Sequence, residues 1–271
     1  MNKEKTKMVS IDDIITYLKS GQTPIENTVD ELIVGRANQK VKKIATTFNA
    51  SIPVIEKAIA EGITFIITHE GIYYSHRGIP DGLQTHDVYK KKYDLLTSHD
   101  IAIFRYHDYI HRHFPDPITS ALVKQLGWDN EHVEHQPHSA IVTLTTPYSV
   151  KDAITHIKQR LQLPNVRVSG SLKTTIRKIG LLVGYRGGIT NALPLLKQEP
   201  LDLLIVGEAQ EWETAEYFAD CYAIGLQKTM ITIGHMPSEA YGMQLLAQQL
   251  QQQFPSLHVA FLENNTCYHT M

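Results

Sequence analysis

Fourteen histidines in 271 residues set the first question, because imidazole is the commonest metal ligand and the side chain that titrates near neutrality. Their placement narrows it. His69-Glu70 follows the apolar run 63–68, and Arg105-Tyr106-His107-Asp108, with His111 four residues beyond His107, follows the run 101–104. Gly207-Glu208 follows 203–206, and Gly234-His235, with Glu239 after it, follows 229–233. Imidazole nitrogen together with carboxylate oxygen suits divalent transition metals such as Zn, Mn, Fe, Co or Ni. A single histidine at the end of a strand is ordinarily hydrogen-bonded structure. Recurrence of His or a carboxylate at four such ends is what points to a metal site.

Each member also has a plainer explanation. His107 and His111 share a face if the segment between them is helical, whereas a solvated turn would leave them unrelated. Met236-Pro237-Ser238-Glu239 reads as the start of a helix, where a carboxylate is favoured by the dipole; capping accounts for Glu239 but not for His235 before it. Glu208 fits a general base or a residue that orients a ligand, and equally an ordinary strand-end carboxylate. Arg105, Tyr73, Tyr74 and Arg77 could hold a phosphate or an aromatic ring, or lie idle in exposed loops. Gly184-Tyr185-Arg186-Gly187-Gly188 could offer backbone N–H groups to an anion, but it matches neither a phosphate loop nor a dinucleotide fingerprint, so a tight turn is the better reading.

These residues need a scaffold that gathers strand ends, and the patterning supplies one. Ser10 and Asp13 open a helix with Ile11, Ile14, Ile15 and Leu18 on one face. The stretch 43–48, then Ser51, Pro53, an apolar stripe through Ile59, the terminator Gly62 and the run 63–68 make a βαβ unit with parallel strands. A helix over 88–97 and the strand 101–104 extend it, and a helix near 120–126 ends at Gly127. Beyond these the sequence predicts strands at 141–144, 166–168, 179–183, 203–206, 229–233 and 258–262, with helices at 150–161, 211–220 and 237–253. The polar, histidine-dotted segment 129–138 reads as a linker, its His132, His135 and His138 as solvated surface. The expectation is therefore an α/β protein of two domains with mixed or parallel sheets flanked by helices and a metal site at the C-terminal ends of strands. Residues 1–128 with 229–271 would form the metal-binding domain and 129–228 the second.

In order and spacing, Thr68-His69-Glu70-Gly71-Ile72-Tyr73-Tyr74, His107 to His111, Gly207-Glu208 and above all Gly234-His235-Met236-Pro237-Ser238-Glu239 resemble the Nif-three-like family of dinuclear metal proteins, whose members are often named GTP cyclohydrolase I type 2 homologues. The resemblance spans nearly the whole chain and implies two divalent ions per subunit, held by a His-His pair, a His-x-x-x-Asp pair and a His-x-x-x-Glu pair. Here Glu70 stands at the second His and His111 at the Asp. The implied ligands are His69, Glu70, His107, His111, His235 and Glu239, with one imidazole and one carboxylate exchanged and bridging duty passing to Glu70. It further implies a toroidal homohexamer and a metal-dependent hydrolase of the GTP cyclohydrolase or phosphoester type, acting on a nucleotide-like or phosphorylated small molecule. A non-catalytic, metal-binding oligomer with a regulatory or scaffold role is the alternative.

Composition is compatible with this. Apolar residues make up 42% and charged residues 20%, an ordinary globular mixture. A net charge of -2 supplies no positive field for duplex nucleic acid. Cys221 and Cys267 stand far apart, without the paired spacing of a thiolate-metal or redox motif, and read as two free thiols. The basic opening Met1–Lys7 has no apolar stretch behind it, and no run approaches the ~20 residues that span a bilayer, so the expectation is a cytoplasmic protein without a membrane partner.

Overall fold

The structure, a computed structural model, describes residues 8–268; the opening Met1–Lys7, where no export signal was expected, lies outside them. Helix α1 (Ile11–Lys19) starts from a reciprocal cap in which the Ser10 hydroxyl accepts the Asp13 N–H and the Asp13 carboxylate accepts the Ser10 N–H. Strand β1 (Leu32–Val34) precedes β2 (Lys43–Thr47), α2 (Ile52–Glu61) and β3 (Phe65–Thr68). Gly62, at φ +68°, ends α2 by donating its N–H to Ala58 and Ile59 carbonyls, a conformation glycine adopts without steric cost. Helix α3 (Asp87–Ser98), strand β4 (Ala102–Arg105) and the single turn α4 (Asp108–His111) follow.

Next come α5 (Pro117–Gln125), β5 (His132–Gln136), β6 (Ser139–Ser149), α6 (Val150–Leu161), β7 (Arg167–Gly170) and β8 (Thr175–Leu182). The chain continues through α7 (Ile189–Gln198), β9 (Leu203–Val206), a π-helical turn Glu211–Ala215 running into α8 (Glu216–Ala223), β10 (Thr229–Thr232), the long α9 (His235–Gln253) and β11 (His258–Phe261).

These elements make two compact units, each around its own sheet. The first holds the described residues up to Arg112 together with Met243–Cys267. Its five strands lie in the order β1-β4-β3-β2-β11, parallel except for β1, which is antiparallel to β4. Strands β3 and β4 are buried along their whole length, as parallel strands covered on both faces must be. The second unit, His113–Gly242, has six strands in the order β5-β6-β8-β9-β10-β7, with β8, β9 and β10 parallel and the rest antiparallel. The architecture is thus a mixed α/β fold of two sheets flanked by helices.

The units divide the chain differently from the expected boundaries. Residues 229–242 belong to the second unit because β10 pairs in parallel with β9, Ile231 opposite Ile205, and antiparallel with β7. Residues 113–128 join it as well: α5 packs on β6, and the buried Trp128 stacks on His156 of α6, ring centroids 5.4 Å apart. The segment expected as a linker contains the edge strand β5, whose His132 and His135 lie opposite Thr143 and Ala140 of β6. Cys221 is buried and Cys267 exposed, both as free thiols. Among the described residues, no helix is long and apolar enough to cross a membrane.

Candidate metal centre

In the first unit, parallel pairing of β3 with β4 sets Thr68 beside Arg105, so the residues that follow the two strands emerge together. His69 is fully buried, and its Nδ1 lies 3.1 Å from the Tyr106 carbonyl oxygen. A carbonyl can only accept, so Nδ1 carries the proton and the Nε2 lone pair points the other way. His107 is built alike: its Nδ1 is 3.0 Å from Asp108 Oδ1. Although burial raises Asp108, hydrogen bonds from the Val29 N–H, His107 and Thr28 outweigh it and hold this carboxyl at about 2. Burial, reinforced by the neighbouring His69 and His111, pushes His107 down to about 3; at neutral pH the ring is uncharged with Nε2 unprotonated. The rings of His69 and His107 stack at 4.7 Å, and His111 stands edge-on to both at 5.1 Å. One nitrogen from each lies within 4.8 Å of the other two.

The turn that carries two of these histidines is held from outside. Asp30, buried just before β1, accepts the backbone N–H groups of His107 (2.9 Å) and Asp108 (2.7 Å) on Oδ1 and that of Tyr109 (3.0 Å) on Oδ2. It thereby satisfies the donors that a helix start leaves over. Burial raises the Asp30 carboxyl against the pull of these three bonds. Helical geometry from His107 onward then places His111 on the same face.

Glu70, His76 and His107 form a second group whose donor atoms lie within 4.8 Å of one another. Glu70 Oε1 is 3.7 Å from His107 Nε2, and Glu70 Oε2 accepts from Arg105 Nη2 at 3.1 Å. Arg105 is buried and also donates to the His69 and His76 carbonyls, so it braces the loop after β3 instead of reaching into solvent. Tyr73 is buried against Tyr89, ring centroids 4.8 Å apart, while Tyr74 is exposed and Arg77 bonds the Asn27 carbonyl. The lining of a cavity of about 640 Å³ in this unit includes Gly71, Tyr73, Tyr89, Tyr93 and Arg105.

In the second unit, the ends of β8, β9 and β10 converge on the first turn of α9. His235 Nδ1 lies 2.9 Å from Glu208 Oε2, and His235 Nε2 lies 3.1 Å from Glu239 Oε2. A carboxylate on one ring nitrogen that orients the other toward a cation is the usual setting of a metal-bound histidine. Ser238 donates to the His235 carbonyl and accepts the Gly184 N–H. Gly184, at φ +57°, begins the tight turn Gly184–Gly187 anticipated from the glycines, and a Cβ there would collide with Glu239 Oε1. The glycine is required for closeness to that carboxylate.

The Duf34/NIF3 (NGG1p interacting factor 3) family matches residues 12–267. The chain belongs to this family. A GTP cyclohydrolase 1 type 2 homolog of Chlamydia trachomatis is 25% identical over 224 residues, 81% of this chain and 83% of the relative. One from Borreliella burgdorferi is 24% identical over 264 residues, 96% of each. Among solved structures, a Bacillus cereus protein related to NIF3 superposes with a TM-score of 0.76 at 15% identity, over 98% of this chain and 99% of that one. A Staphylococcus aureus hypothetical protein gives 0.75 at 16% identity, over 97% and 99%. These two likenesses show that the chain shares their fold.

Against this fold, the residues picked out by sequence fall into two sets. His69, Glu70, His107 and His111 come together in the first unit; His235, Glu239 and Glu208 come together in the second. Sequence reasoning missed Asp30, which lies 77 residues from His107 along the chain, and His76, six residues past the strand-end pair in a segment without periodicity. The only available signal for His76 was its closeness in sequence to His69-Glu70.

Proposed function

We propose that this Duf34/NIF3 protein binds divalent transition-metal ions and uses them in hydrolysis, on a substrate of the GTP cyclohydrolase or phosphoester class. The observation that carries metal binding is the packing of three imidazoles within 5.1 Å of one another, two of them with the proton fixed on Nδ1 by an acceptor. Pre-oriented nitrogen donors at that spacing fit a cation such as zinc. His69, Glu70, His107, His111, His235 and Glu239 are the proposed ligands, and two ions per chain the proposed content. Bound metal supplies a water of lowered pKa and positive charge for an anionic transition state.

The chain's own residues prepare that chemistry. Tyr106 and Asp108 fix the rings of His69 and His107, Asp30 fixes the turn beneath His107 and His111, and Glu208 fixes His235. The hydrogen bond to His235 supports an orienting role for Glu208 over that of general base. The names of the Chlamydia and Borreliella relatives support the GTP cyclohydrolase type. Homohexamer formation and a cytoplasmic location belong to the same proposal, resting on family membership; a monomer by light scattering would refute the first.

The test is a hydrolysis panel of GTP and phosphoesters on protein of known metal content, beside His107→Ala and His235→Ala. Turnover by the parent and its loss in both variants is expected. Equal turnover by all three would refute the hydrolase reading, and no turnover by metal-loaded parent would favour the non-catalytic oligomer.

A further inference from the structure

Lys92 of α3 is 2% exposed, and among the described residues no carboxylate forms an ion pair with it. Lysines are almost never buried without a partner. Its ammonium donates to the Ile72 carbonyl at 2.6 Å and lies 4.7 Å from the centre of the Tyr74 ring, which is itself 57% exposed. That ring is a cover with water on its far side. Ile72 and Tyr73 are anchored in the core, but from Tyr74 to Gly82 the chain runs exposed, apart from half-buried Ser75, without helix or strand. Tyr74 opens this stretch at φ +61°, a conformation uncommon for residues other than glycine, and Gly78 and Gly82 take positive φ further along. Ser75, Gly78 and Ile79 belong to the wall of the 640 Å³ cavity, so lifting the stretch opens that cavity.

We propose that residues 74–82 form a flap over this cavity, and that opening the flap hydrates Lys92 and is coupled to uptake of a proton by its amine. Three cations hold the flap or lie under it: Arg105 donates to the His76 carbonyl, Arg77 to the Asn27 carbonyl, and Lys92 stands beneath Tyr74. The two guanidiniums keep their charge at any accessible pH. The lysine is the cation that can change state. His76, on the flap, is held below its ordinary value by partial burial and by Arg105, and so is neutral above pH 7; burial keeps the Tyr73 hydroxyl protonated. Asp87, Lys90, Lys91 and Asp94 of the same helix, Glu56, Lys57 and Glu61 of α2, and Glu31, Arg36 and Asp100 across the cavity are all exposed. With the flap shut, burial lowers Lys92 from 10.5 to about 8; in water the amine returns to its ordinary value. The open form therefore binds more protons between those values, so the flap tightens as pH rises from 8 to 10.5 and is loosest at neutral pH and below. None of this depends on bound metal.

Trypsin cleavage of the native protein after Arg77 tests this, with the product identified by mass and the rate divided at each pH by that of a synthetic peptide of residues 71–83, in which Arg77 is the sole tryptic site. Between pH 7 and pH 9.5 this ratio is expected to fall about 25-fold in the parent chain. Lys92→Met, which cannot titrate, is expected to show no fall. Tyr74→Ala, which bares the ammonium to water, is expected to be cut faster at neutral pH and to lose most of the slope. A ratio level with pH in the parent, or an equal fall in Lys92→Met, would overturn the proposal. Should Lys92→Met fail to fold, Tyr74→Ala decides: the parent's slope persisting there would overturn it.

Discussion

Replacing Asp30 by Ala removes three hydrogen bonds at one stroke, those from the His107, Asp108 and Tyr109 N–H groups, at 2.9, 2.7 and 3.0 Å. Bonds to a charged acceptor contribute about 1.5 to 3 kcal/mol each, a gross loss of about 5 to 9 kcal/mol. Two effects reduce it. The buried carboxylate is desolvated, which pushes its pKa up, and that cost disappears with the side chain; water can also reach part of the freed turn. Single helix caps are worth about 0.5 to 2 kcal/mol, and three buried donors at this one site give an expected net destabilisation of about 3 kcal/mol. Asp30→Asn keeps Oδ1 and its two bonds but turns an amide N–H₂ toward the Tyr109 N–H, so a loss of about 1 to 2 kcal/mol is expected. Urea unfolding of the metal-free chain measures both. Because the same turn carries His107 and His111, zinc affinity should fall in the same order. An Asp30→Ala protein within about 0.5 kcal/mol of the parent, the range of neutral surface changes, would refute the view that this carboxylate builds the metal turn.

Lys92 is buried, donates to the Ile72 carbonyl at 2.6 Å, and burial lowers it from 10.5 to about 8. The unfolded chain then binds more protons than the folded one between those values, so stability should rise as pH increases from 8 to 10.5, by at most about 3 kcal/mol; an identical rise in Lys92→Met would contradict this. Glu208→Ala leaves His235 Nδ1 without its carboxylate and should weaken metal binding by about 10- to 100-fold with little change in unfolding midpoint, as isothermal titration would show; unchanged affinity would sink the orienting role. Gly184→Ala, which combines a positive φ of +57° with a Cβ driven into Glu239, should destabilise by about 1 to 3 kcal/mol in thermal unfolding; a neutral outcome would mean that the turn can move off the carboxylate.

Much of the scaffold was legible because its signals are local. The βαβ unit from β2 to β3 is written in Ser51, Pro53 and Gly62, and α6 begins and ends where its Ser149–Asp152 capping box and the apolar positions Val150, Ala153, Ile157 and Leu161 place it. Strand β5 escaped notice because His132, Glu134 and Gln136 give it no apolar face; pairing with β6 defines it. Where 229–242 belongs is settled by a partner strand 26 residues earlier, Ile205 opposite Ile231, which no window of sequence contains. The strand-end residues that come together could be picked out because the end of a parallel strand is a position readable from pattern. Asp30, His76 and the inward course of Arg105 could not, since each acts through backbone or side-chain groups supplied by other elements.

The most direct test of the central claim is X-ray absorption at the zinc edge of the loaded protein, read for the number of imidazole scatterers and repeated on His69→Ala, His107→Ala and His111→Ala. The account predicts a nitrogen- and oxygen-bound ion in the parent with the multiple-scattering signature of imidazole, falling in each variant. A zinc environment unchanged by all three substitutions, or a sulfur shell in place of nitrogen, would contradict it.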